Sequence, residues 1–160
     1  MSPIYKQPSD PASLKPTELA ASLRATIATA QLQLQAIPSE TASEPLGEGK
    51  WSTKEVIGHL IDSATNNLQR IVRLQLQPEI DLPGYEQNGW VGVQRYDLLE
   101  WQNVLTLWFT LNGQLAHVIE HVDPACLTNI WNYNDTRLTL GFIIEDYIAH
   151  MEHHLRQSGA

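Results

Sequence analysis

Residues 52–78 read STKEVIGHLIDSATNNLQRIVRLQLQP, and they show how this chain begins and ends a helix. Ser52 and Glu55 form a capping box: the hydroxyl serves one orphan N–H and the carboxylate reaches back for another. The run can continue to Gln77, where Pro78 closes it. Similar punctuation recurs along the chain. Pro16 suits a first helical position, and Leu19, Leu23, Ile27 and Leu34 repeat at helical spacing to about Ile37, before Pro38. Asp97 with Glu100 predicts the cap of a third helix reaching about Val122, with Leu98, Trp101, Val104, Leu105, Trp108, Leu111, Leu115, Val118 and Ile119 as its apolar stripe. A fourth helix is expected over Thr139 to Gln157.

Four amphipathic helices without a convincing period-2 strand predict an all-α fold, a four-helix bundle. Residues 1–15, with Pro3, Pro8 and Pro11, read as an extended arm. Residues 38–51 read as a loop. The connections 78–96 and 123–138 are long: the first is a loop of functional length, the second a short irregular hairpin, and at least one crossover is expected.

The 160 residues fit one domain, 1–160. A net charge of −8 opposes phosphate backbones and anionic lipid, which argues against nucleic acid and membrane partners. Charged residues make up only 18%, which points to much buried surface or a homodimer. Cys126 is the sole cysteine, so a metal would be held by His, Asp or Glu, and Cys126 reads as apolar filler. The N-terminus has no apolar leader, and a cytoplasmic location is expected.

Chemistry concentrates in the histidines. On a helical wheel the fourth segment places Ile143, Tyr147, Leu140, Met151, Ile144, Leu155 and Ile148 on one arc. His154 falls inside the edge of that arc with His150 beside it. His153 lies on the outer flank with Asp146, and Glu145, Glu152 and Arg156 face water. His150 and His154, at i and i+4, can converge on one ion. Met151 follows His150, so this is not the HExxH arrangement of a metalloprotease. His117 and His121 share the i, i+4 spacing but lie opposite their helix's apolar stripe, and read as exposed and inert.

His59 heads a polar stripe with Asp62, Asn66 and Arg70. That stripe is either a solvated face or a bundle lining in which His59 is a third ligand. Three neutral imidazoles with an open position match catalytic zinc sites, and Ni²⁺ or Fe²⁺ are equally suited.

These residues resemble the DinB superfamily, close to its YfiT-like metal-dependent branch. The resemblance rests on GKWSTKEVIGHLIDS (49–63), YEQNGW (85–90) and DYIAHMEHHLRQ (146–157), and extends from about Pro3 to Gln157. It implies a four-helix bundle with one metal ion on His59, His150 and His154, while His153 matches a position that is often histidine without being the usual ligand. It further implies a metal-dependent hydrolase or a thiol S-transferase using a low-molecular-weight thiol. A non-catalytic metal- or ligand-binding bundle is the alternative, since no general base is evident. Asp62, one turn from His59, is a candidate base or an acceptor orienting a ligand. Asn66 and Arg70 are candidate contacts to a small-molecule substrate, although Arg70 reads first as a solvated side chain. Tyr85, Glu86 and Trp90 are candidates for the mouth. Trp51, Trp101, Trp108 and Trp131 read as core or bundle-end residues.

Overall fold

The computed structural model describes residues 4–159, so Pro3 of the arm lies outside the described residues. Four long helices form the bundle: α1 (Pro16–Gln35), α3 (Thr53–Leu76), α5 (Trp101–Glu120) and α6 (Leu140–Ser158). Two short helices, α2 (Ser39–Ser43) and α4 (Gln87–Gln94), lie within the connections. The capping box is present: Glu55 N donates to Ser52 Oγ at 3.2 Å, and Ser52 N donates to Glu55 Oε2 at 2.8 Å. Ala20, Leu23, Ile27 and Leu34 of α1 are buried against Trp108, Leu115 and Ile119 of α5 and Ile144, Met151 and Leu155 of α6 in one core cluster.

The start of α5 departs from expectation. Arg95 adopts a left-handed conformation (φ 52), and a 3-10 turn follows over Tyr96–Leu98. That reversal drives Tyr96 into the core, where it is 3% exposed, and delays the helix to Trp101. Asp97 therefore caps nothing and pairs with Arg95 at 2.9 Å, Glu100 takes the N-cap position without a side-chain bond, and Leu98 is 70% exposed instead of joining the stripe. A Cβ at Gly58 would lie 2.2 Å from the Tyr96 ring, so only glycine admits that ring against α3.

Helix directions follow from particular contacts. Trp101 Nε1 donates to Ile37 O at 3.1 Å and Arg24 reaches Glu120 at 2.7 Å, so α1 and α5 are antiparallel. His59 meets His150, while Asn129 Nδ2, ahead of α6, donates to Leu74 O at 2.6 Å, so α3 and α6 are antiparallel too. Tyr96 lies at the start of both α3 and α5, which makes those neighbours parallel. Residues 77–100 must then climb the length of the bundle, and they are the expected crossover. α1 packs on α5 and α6, and α3 on the same two, so α1 and α3 occupy one diagonal.

The connections hold more regular structure than predicted. β1 (Glu79–Asp81) pairs in parallel with β2 (Ile130–Tyr133), which pairs antiparallel with β3 (Thr136–Thr139). Strands of three and four residues are too short for alternation to stand out. Their sheet ties the crossover to the second long connection, with Ile80 opposite Trp131 and Trp131 Nε1 donating to Leu82 O at 2.9 Å. A Cβ at Gly84 would lie 2.5 Å from the Tyr133 ring, which explains glycine where the crossover passes the hairpin.

The arm is extended apart from a 3-10 turn at Pro11–Ser13, and it lies along α6. Tyr5 N and Lys6 N donate to Asp146 Oδ1 at 2.6 and 2.9 Å, and Ser9 Oγ donates to Glu145 Oε1 at 2.8 Å. Glu145, expected in water, is therefore buried beneath the arm. Glu152 is half-buried and accepts from Thr26 Oγ1 at 3.2 Å, and Arg156 is exposed. Among the described residues no helix is long and apolar enough to cross a membrane.

Candidate metal centre

Antiparallel packing of α3 on α6 sets His59 against His150 and His154. His59 Nε2 and His150 Nε2 are 3.0 Å apart, and one ring nitrogen of each of the three lies within 4.8 Å of the others. Two nitrogens on one tetrahedral ion, at metal–nitrogen distances of about 2.0–2.1 Å, are separated by roughly 3.3 Å, so the observed spacing is near that of a shared ion. His59 and His154 are buried, and His150 is half-buried.

Burial, with the neighbouring imidazoles as the smaller cause, holds all three well below the ordinary histidine range. His59 falls to about 3, His150 to about 2 and His154 to about 4. The rings are neutral at pH 7, the form that ligates. His59 Nδ1 and both ring nitrogens of His154 are buried without hydrogen-bond partners. Unpartnered buried nitrogens are costly, and a cation amid three lone pairs satisfies such a group directly. Ser63 Oγ stands 3.3 Å from His150 Nδ1, which leaves Nε2 of that ring facing His59. The donor set fits a divalent ion.

Aromatic side chains enclose the cluster. The Tyr5 ring of the arm lies 4.9 Å from His150 and 6.2 Å from His154, and Trp51 lies 5.2 Å from His59. His153, on the outer flank as expected, bonds Gln157 at 2.9 Å and lies outside the three-nitrogen group. A cavity of about 610 Å³ opens beside His59 and His150 and extends towards the hairpin. That volume is within the range of small-molecule sites.

The wall that α3 gives to this cavity is His59, Ser63, Asn67 and Arg70. Asp62 and Asn66 are not on it. Relative to His59, Asp62 lies about 60° and Asn66 about 20° to one side, whereas Ser63, Asn67 and Arg70 lie about 40°, 80° and 20° to the other. Asp62 instead faces α4, where its Oδ1 accepts from Gln94 Nε2 and Tyr96 Oη, both at 2.7 Å. Burial raises its pKa against those two bonds, and its Oδ2 has no partner. Asn66 Nδ2 donates to Asp62 O at 2.9 Å.

Arg70, read first as a solvated side chain, is instead buried, with its guanidinium carbon 3.9 Å from the Trp131 ring centroid. Tyr85 and Glu86 line the cavity, and Trp90 stands behind Tyr85 at 5.1 Å without lining it. Burial pushes Tyr85 up to about 12, so its hydroxyl keeps its proton. Ser63 and Asn67, at i+4 and i+8 from His59, were within reach of the wheel. Tyr5, Trp131 and Tyr133 reach the site only through tertiary docking of the arm and hairpin.

His117, Glu120 and His121 also bring ligand atoms within 4.8 Å of one another, but both histidines are exposed. Glu120 is engaged by Arg24, and His121 Nδ1 lies 2.8 Å from His117 O. Neither of those histidines has a buried ring nitrogen left without a partner, so nothing in the fold demands an ion.

The family model for the DinB superfamily matches residues 9–158. Among solved structures, YfiT from Bacillus subtilis, described as a probable metal-dependent hydrolase with an unusual four-helix bundle topology, superposes with a TM-score of 0.79 at 18% identity, covering 96% of this chain and 90% of that one. At that identity the likeness establishes the fold. No curated protein matches the chain.

Proposed function

From the premise that this chain belongs to the DinB superfamily, we propose that it is a metal-dependent hydrolase of a small molecule, with one divalent ion held by His59, His150 and His154. The observation that carries this is the buried group of three neutral imidazoles with orphaned ring nitrogens beside a ligand-sized cavity. The description of the YfiT structure as a probable metal-dependent hydrolase agrees with it. When bound, the ion supplies Lewis acidity, acidifying a water molecule or a thiol and polarising an electrophile. Zinc, nickel or iron(II) would each suit three imidazoles.

The chain's own residues do the rest. Ser63 fixes the orientation of His150. Tyr5 and Trp51 restrict water around the ligands. Tyr85, protonated at working pH, serves as a hydrogen-bond donor and not as a base. We assign Asp62 to positioning: its carboxylate joins α3 to α4 and touches none of the three imidazoles by a hydrogen bond. Asn66 then acts only through that segment of α3, and Trp90 supports Tyr85.

One observation favours a second reading, transfer of a low-molecular-weight thiol. Among the described residues no carboxylate is hydrogen-bonded to the three imidazoles, and a thiol acidified by coordination asks for no protein base. The test is elemental analysis of protein purified without chelator, then turnover of ester, amide and thiol-plus-electrophile panels before and after chelation. One equivalent of metal with chelator-sensitive ester or amide hydrolysis is the expected result. Activity confined to the thiol panel selects the second reading. Metal without turnover reduces the protein to a binding bundle, and no metal after Zn²⁺ or Ni²⁺ addition overturns the proposal.

A further inference from the structure

Arg70 is a charged side chain without a charged partner. It is 6% exposed, lies on the cavity wall, and makes one side-chain hydrogen bond, from Nη1 to Asn67 Oδ1 at 3.2 Å. Among the described residues no carboxylate comes within ion-pair distance of it. A guanidinium has five donors, so most of its capacity is unused, and it cannot escape burial by losing its proton. Burial draws its pKa down to about 10, which leaves it charged at neutral pH. The Trp131 ring meets one face of the cation. That contact compensates part of the desolvation but leaves the in-plane donors free.

Two carboxylates share the cavity, and both are occupied elsewhere. Asp146 Oδ1 accepts from the backbone N–H groups of Tyr5 and Lys6, and Glu86 caps α4 by accepting from Asn88 N and Gly89 N. Native proteins seldom bury an unpaired charge without use for it. A planar fork of donors at the end of an aromatic-walled cavity is complementary to a carboxylate.

We propose that the end of the cavity away from the three histidines is a carboxylate-binding subsite, in which the Arg70 guanidinium, held by Trp131 and Asn67, receives an anionic group of the substrate. This rests on the reading of the protein as an enzyme acting at the three-histidine centre. The substrate is then an elongated monoanion with its reactive bond at one end and its carboxylate at the other. Along α3 the two residues are separated by about 16 Å of helical rise, and the arginine side chain folds back a turn towards His59, so the substrate spans on the order of 10 Å. A monoanion is favoured over a phosphate dianion because one guanidinium supplies one charge, with Tyr133, Leu138 and Phe142 lining the same cavity.

The experiment uses chelator-treated full-length protein, so that no metal competes for the anion and the result is independent of the catalytic reading. 4-Phenylbutyrate and 6-phenylhexanoate are titrated calorimetrically against their primary amides and against 4-phenylbutylphosphonate. Wild-type protein is expected to bind one of the carboxylates about tenfold or more tightly than its amide. Arg70→Met should reduce that ratio to near one, and Arg70→Lys should keep part of it. Equal binding of carboxylate and amide by wild type, no detectable binding of either at millimolar concentration, or a ratio unchanged in Arg70→Met overturns the subsite. Tighter binding of the phosphonate overturns the carboxylate assignment. Should Arg70→Met fail to fold by circular dichroism, the wild-type ratio and Arg70→Lys decide. Metal stoichiometry, measured separately, shows whether the three-histidine reading stands or falls by itself.

Discussion

His150 and His117 each head an i, i+4 pair, yet differ in what stands around them. His150 and His154 meet His59 on a neighbouring helix, out of water, whereas His117 and His121 meet only each other and an engaged glutamate. His59→Ala, His150→Ala and His154→Ala are each expected to lower metal stoichiometry from one towards zero, while His117→Ala and His121→Ala leave it unchanged, by elemental analysis after desalting. Ser63→Ala should weaken metal affinity about 10- to 100-fold, read by competition with a chromophoric chelator, because the His150 ring loses its restraint. A pH effect belongs at this scale too. With folded pKa values lowered to about 3, 2 and 4, the metal-free unfolded chain takes up protons that the folded chain refuses between about pH 2 and 6.5. The imidazole contribution to stability is therefore complete above 6.5 and is lost as pH falls through that window. Asp62 and Asp146, whose pKa values burial raises, act in the opposite sense, so comparison with a variant is needed. Denaturant unfolding of His150→Gln should show a shallower acid-side decline than wild type, by up to about 1.4 kcal/mol per pH unit. The core-edge position of His150 and His154 was legible because burial follows wheel angle, whereas for His59 the wheel left a solvated face open and only the family resemblance turned it inward. The shift of the wall from Asp62 and Asn66 to Ser63 and Asn67 was not legible, because α4 and Tyr96 draw the Asp62 carboxylate away.

At the scale of elements, long helices announce themselves by repeated apolar spacing and by caps, and α1, α3 and α6 lie within a few residues of expectation. α5 does not begin at Asp97, because the 3-10 turn over Tyr96–Leu98 runs into extended backbone at Leu99 and Glu100, and no periodic signal marks that break. The hairpin of β2 and β3 falls within the segment expected to hold one, whereas β1 was invisible: three residues are too short to alternate, and its partner lies about fifty residues away. The join between α3 and the segment preceding α5 makes a sharp prediction. Gly58→Ala would set a methyl 2.2 Å from the Tyr96 ring, and is expected to destabilise by about 1–3 kcal/mol in denaturant unfolding, whereas Gly113→Ala, with nothing within 4 Å, should not. An unchanged midpoint in Gly58→Ala would contradict the packing of Tyr96 on α3.

For the whole molecule, the parallel neighbours α3 and α5 oblige residues 77–100 to run back along the bundle, and that return path carries Tyr85 and Glu86 past the cavity. The hairpin closes one end of the cavity with Trp131, and the arm covers the histidine end with Tyr5. Three segments outside the helical core thus shape a site whose three histidines sit within it. We also propose a homodimer, for which the exposed Leu32, Leu107 and Phe109 on α1 and α5 offer apolar surface. Light scattering should give twice the 18.0 kDa chain mass, and a monomer at all concentrations would contradict it. Imidazoles from α3 and α6 are proposed to share one cation. Crystals grown with Zn²⁺ and measured on both sides of its absorption edge test it most directly. An anomalous peak is expected about 2.0–2.1 Å from ring nitrogens of His59, His150 and His154. A peak only at His117 and His121, or none among the three, would contradict it.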